Sequence, residues 1–144
     1  MKKTQSYISS LKQILTHLKN SKLEYLRAAD LSNTSEMKRF FNQKALIRNR
    51  FFQDVLTELE GFGWSYEDLL ENGFAFDQLL ISSIESSNTS SLEKCIQFDL
   101  ALEGVYLNII PVQSDLTDFQ KHLKSIQQSL KVLTEIVSTQ SEVA

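Results

Sequence analysis

Apolar residues recur along this chain at alternating steps of three and four, the spacing that keeps side chains on one face of an α-helix. Ile8, Leu11, Leu15, Leu18, Tyr25 and Ala29 form such a seam and predict a first helix over about residues 4–29. Met37, Phe41, Ala45, Phe52, Val55 and Leu59 predict a second over about 35–60, and Phe40, Ile47, Phe51 and Leu56 widen its stripe enough to serve the core and a second neighbour. Asn33 followed by Glu36 resembles a capping box at its start, and Gly61 with Gly63 ends it. Ser65 with Asp68 reads as the cap of a short helical turn that Asn72-Gly73 interrupts. Over 74–84 the apolar residues are too crowded for a free connection, so this segment is expected to dock on the bundle or on a partner. A polar loop over 86–91 leads to a third long helix, capped by Ser90 with Glu93 and stopped by Pro111 after Ile110. The last helix starts near Ser114 on the seam Leu116, Phe119, Leu123, Ile126, Leu130, Leu133 and Val137, with a frayed tail expected after Ser138. Four long helices, with an extra short crossover helix between the second and third, make an all-α, up-down four-helix bundle, one domain over 1–144 with its core over about 4–138.

Composition supports that class. Apolar residues are 42% and charged residues 23%, ordinary for a globular chain, and one Pro with four Gly disfavours a turn-rich β fold. Neither a signal peptide nor a membrane span is legible, so a cytoplasmic protein is expected, and the lone Cys95 agrees with a reducing compartment. The two Asn-x-Ser patterns, at Asn33 and Asn88, then read as helix caps. The net charge of -3 hides an asymmetry: residues 1–60 hold 11 Lys and Arg against 6 Asp and Glu, and residues 61–144 hold 4 against 12. The basic residues are dispersed rather than clustered with aromatics, which argues against nucleic acid and for attraction between the two halves, within a chain or between subunits.

The chemistry-bearing patterns are mostly missing. A di-metal carboxylate site in a four-helix bundle takes a Glu from each of two helices and a Glu-x-x-His pair from each of the others. No Glu in this chain has a His three residues later. Asp118 and His122 could share a helix face and reads best as a solvated pair; His17 reads as a surface residue, and Cys95 as a buried structural thiol. No phosphate loop, nucleophile elbow or Cys-x-x-Cys is present. Three charges do interrupt the seams: Lys22 between Leu18 and Tyr25, Arg48 between Ala45 and Phe52, and Asp99 between Cys95 and Leu102. They lie at similar distances from their helix ends and could meet in one layer of an antiparallel bundle. Alternatively, the Lys and Arg stems snorkel to solvent and Asp99 sits at an edge.

The run Glu24 to Asp30, the Phe41, Arg48 and Phe51 region within 37–56, Leu92 to Cys95, and Asp99-Leu100-Ala101 leading to Tyr106 resemble a bacterial family of ferritin-like bundle proteins, the rubrerythrin-related domain of unknown function 2383, which has stress-associated members. The resemblance spans about residues 6–138. It implies a ferritin-like, often dimeric bundle without an established activity. It also implies that Lys22 stands where the family has an acidic residue, that Asp99 matches a third-helix carboxylate, and that Arg48 and Phe51 replace the Glu-x-x-His of metal-binding relatives. On the last helix only Gln127 and Gln128 are near the remaining ligand positions.

The expectation is a non-catalytic, stress-related bundle that acts through dimerisation or partner binding, with no catalytic residue, cofactor, metal, nucleic acid or membrane contact. In place of a metal site it would carry an interior polar cluster of Lys22, Arg48 and Asp99. The alternative is a divergent iron or manganese oxidoreductase or storage protein built on Glu24, Asp99, Glu103 and the last-helix glutamines.

Overall fold

The computed structural model describes residues 2–71, 91–110 and 117–143. All regular structure among them is helical: α1 (Lys2–Leu31), α2 (Ser35–Glu60), α3 (Tyr66–Glu71), α4 (Ser91–Ile109) and α5 (Thr117–Val143). The bounds of α2 are those its pattern predicts. α1 is slightly longer at both ends, and α5 continues to Val143, beyond the expected fraying point. The crowded segment 74–84, the Ser90 cap and the Pro111 stop lie outside the described residues. No described helix is long and apolar enough to cross a membrane.

The helix ends follow from local chemistry. α2 is capped one residue later than expected, by Thr34 rather than Asn33: the extended Thr34 accepts a hydrogen bond from the Met37 amide at 3.2 Å. At the other end Gly63 takes φ +88°, and the Trp64 amide reaches back to the Leu59 carbonyl while Gly63 N–H donates to Glu60. This is a Schellman closure, with the glycine at the one left-handed position. The predicted cap of α3 is present in reciprocal form: the Ser65 amide donates to Asp68 Oδ2 at 3.0 Å, and the Asp68 amide donates to Ser65 Oγ at 3.1 Å.

α1 packs against α2 and α4, and α4 packs against α5. The core has two apolar clusters. One gathers Leu11, Leu15, Leu18, Leu59, Tyr106 and Phe119 with their neighbours; the other gathers Tyr25, Ala29, Phe41, Ala45, Cys95 and Leu133, and Ile96 touches both. Each fully buried leucine or isoleucine contributes roughly 1.5–3 kcal/mol relative to exposure. Cluster membership also fixes direction. The start of α2 meets the start of α4 and the end of α1, so α1 and α2 are antiparallel while α2 and α4 are parallel, which corrects the expected up-down order between the second and third long helices. α5 runs against α4, since Phe119 meets Tyr106 and Leu133 meets Cys95.

Candidate functional site

The polar centre lies where the two apolar clusters meet. α2 supplies Arg48, α4 supplies Asp99, and α1 supplies Ser21 and Tyr25; all four side chains are sealed from solvent. Arg48 addresses the carboxylate side-on, with Nη2 to Oδ2 at 3.1 Å and Nε to Oδ1 at 3.4 Å. Ser21 Oγ donates to Oδ1 at 2.8 Å and Tyr25 Oη donates to Oδ2 at 2.5 Å, while Arg48 Nε also donates to Ser21 Oγ at 3.2 Å. Both carboxylate oxygens are thus met by charged and neutral donors, the arrangement that makes a buried ion pair tolerable. The guanidinium carbon also lies 5.5 Å from the Tyr25 ring and 5.7 Å from the Phe51 ring, within cation–π range. Burial works most strongly of all against the Arg48 charge, but the charge and hydrogen bond of Asp99, together with Tyr25 and Tyr106, hold the group above its ordinary pKa.

The neighbouring acids are correspondingly inert. Burial, then the Asp99 charge, push the Tyr25 phenol far above its ordinary pKa, so it serves as a fixed donor. Cys95 is fully buried as expected, and burial with the charges of Asp99 and Glu24 keeps its thiol protonated, the opposite of what a nucleophile needs.

A second network lies one layer away. His122 of α5 bonds Asp54 of α2 through Nε2 at 2.9 Å and Tyr106 of α4 through Nδ1 at 2.8 Å. An ionised carboxylate only accepts, so Nε2 carries the proton and Nδ1 accepts the Tyr106 hydroxyl. Phe51 stacks on the imidazole at 3.9 Å between ring centres. Burial lowers the His122 pKa, against the opposing pull of Asp54 and Asp118. The solvated Asp118–His122 pair expected from the sequence is therefore corrected: Asp118 is exposed, but His122 is 3% exposed and held by other helices. His17, expected at the surface, is half-buried, and its Nδ1 has no partner among the described residues.

Of the three charges read from the seams, the fold brings together Arg48 and Asp99 and leaves Lys22 out. Lys22 is half-buried on the outer side of α1, where Nζ donates to Asn49 Oδ1 at 3.1 Å. Steps 18–22–25 and 18–21–25 both alternate three and four, so spacing could not choose between them; the tertiary packing puts Ser21 inside. The missed members are hydroxyls. Tyr25 reads as an apolar seam position and Tyr106 enters only through the family resemblance, Ser21 carries no signal, and the partners of His122 lie 16 and 68 residues away in sequence.

This donor set does not fit a pair of metal ions. Asp99 is already taken by Arg48, whose fixed positive charge at the centre repels a cation, and Glu24 is turned to Ser91 Oγ at 2.8 Å. Glu103 is half-buried while Gln127 and Gln128 are exposed, so the ligands of the alternative reading do not converge. Among the described residues no group of three His, Cys, Asp or Glu could hold a metal ion. Comparison with protein-family models, with curated proteins and with solved structures returns no match.

Proposed function

We propose that this chain is a non-catalytic, ferritin-like bundle protein of the cytoplasm, acting as a homodimer or through a protein partner, with the stress-related role that the family resemblance suggests. The observation that carries the reading is the sealed Arg48–Asp99 pair: the polar centre is occupied by the protein's own compensated charges, and no titratable group there is open to a substrate. The direction order of the long helices, with α2 and α4 parallel, supports a bundle with one long crossover, the connectivity of ferritin-like proteins.

The outer face of α4 supports self-association. Leu100 and Leu107 lie seven residues apart and are 52% and 50% exposed, and a Cβ on Gly104 between them would meet nothing within 4 Å. Two leucines flanking a flat glycine suit the close approach of another helix. Native mass spectrometry tests both parts together. The expected species has twice the chain mass and carries no stoichiometric transition metal, and Leu107→Asp shifts it to monomer. One or two equivalents of iron or manganese per chain that survive a chelator wash would overturn the non-catalytic reading; a monomer at tens of micromolar would overturn the dimer.

A further inference from the structure

Away from the charge pair, the outer seam of α1 and α2 carries a cavity of about 350 Å³ beside Tyr66 of α3, and a smaller one of about 230 Å³ adjoins it toward Leu26 and Leu46. Lys22 and Asn49 belong to both, so the Nζ to Oδ1 bond between them forms a crossbar in one groove. The floor of the larger part is apolar: Leu18, Phe52 and Leu56 present the edge of the core there. Its polar lining holds Lys19 and Lys22 beside Asn49, Gln53 and Tyr66, with no Asp or Glu among the lining residues. Burial, and then the Lys19 charge, lower the Lys22 pKa, and neither lysine pairs with a carboxylate among the described residues.

From this juxtaposition we propose that the groove is a binding site for an amphipathic organic anion, a carboxylate on an aryl or alkyl body. The carboxylate sits between the ammonium groups of Lys19 and Lys22, and the Asn49 amide nitrogen adds a donor, since only its oxygen is engaged by Lys22. The hydrocarbon body lies over Phe52 and Leu56, each 8% exposed, above the fully buried Leu18, so the apolar surface it takes out of water is chiefly its own. The cavity volume falls in the range of small-molecule sites, which are mostly apolar with a few polar groups that set orientation. Neither Arg48 nor Asp99 lines the groove, so the site stands or falls independently of the function proposed above.

The test is a two-dimensional amide NMR titration of the full chain with 4-phenylbutyrate, and with 4-phenylbutanol as its uncharged counterpart. The expected result is saturable shifts at Lys19, Lys22, Asn49 and Gln53, with the alcohol binding about tenfold more weakly. Lys22→Gln, a half-exposed position whose replacement leaves the core intact, should weaken the carboxylate about fivefold or more, whereas Lys38→Gln, at the far end of α2, should leave it unchanged. No saturable shift, equal binding of acid and alcohol, or a Lys22→Gln affinity equal to the parent's would each overturn the proposal.

Discussion

A guanidinium without solvent contact must have its charge answered inside the fold, and Asp99 answers that of Arg48 with both oxygens. The pair is a weak source of net stability, because desolvating two ions offsets most of their attraction; breaking it is another matter. Asp99→Asn keeps the shape and deletes the charge, so Arg48 is left buried and unpaired. The expected loss is roughly 3–5 kcal/mol in urea unfolding, against about 0–1 kcal/mol for an exposed carboxylate. The joint replacement Arg48→Met with Asp99→Leu removes both ions and should regain most of that loss. A midpoint unchanged by Asp99→Asn would show that the carboxylate does not compensate the arginine. Both members were legible as interruptions of an apolar seam, which is a one-dimensional signal. That Ser21 rather than Lys22 completes the site was not, since the two differ by one residue on a helix and only the neighbouring helices select the inward one.

Among the elements, α2 is the one most completely written in the chain. Its apolar stripe, its polar start and its glycine end all agree, and the observed bounds are the expected ones. The end depends on Gly63, whose φ of +88° places it where a Cβ crowds the following carbonyl. Nothing lies within 4 Å of a Cβ built there, so Gly63→Ala tests backbone conformation alone. We expect it to destabilise the protein by about 1–2 kcal/mol, read as a lower urea midpoint with unchanged slope. Gly104→Ala, in mid-helix with open space around it within the chain, should stabilise the single chain by up to about 1 kcal/mol but weaken the proposed dimer, whose close helix approach the added Cβ obstructs. Only the capping residue of α2 differs from expectation, by one position, because Asn33 and Thr34 are both competent caps and the choice rests on which one the turn leaves extended.

Across the molecule, His122 ties three helices together: it sits on α5, bonds α2 through Asp54 and α4 through Tyr106, and is covered by Phe51. Its charge is influenced by Asp54 and Arg48 of α2 and by Asp118 of α5, yet burial dominates and lowers its pKa below the usual 6.5. The folded state therefore prefers the neutral ring. The stability this contributes is present above the unfolded value and is lost as pH falls from there through the lower folded pKa. Protonation would also put a hydrogen on Nδ1, where the Tyr106 hydroxyl now donates, and force that hydroxyl to turn in a closed site. The urea midpoint should therefore decline as pH falls through about 6.5 and below, and His122→Gln should flatten part of that decline. Half-buried His17, whose pKa burial also lowers, accounts for a remainder of the same sign. An identical pH dependence in parent and variant would remove His122 from this role.

The described long helices, most of their core faces and the places of Arg48 and Asp99 on the apolar seams followed from the sequence alone, because periodicity, caps and breaks in a seam are local and are repeated over many residues; that both charges are buried did not. The tertiary structure alone decided which one-residue neighbour faces inward, that α2 and α4 run parallel, and that an imidazole near the start of α5 is buried rather than solvated. Those outcomes depend on contacts between residues far apart in the chain, such as Ser21 with Asp99 and Asp54 with His122. A helix can offer several faces of nearly equal apolar character, and only packing against its neighbours determines which of them is taken out of water.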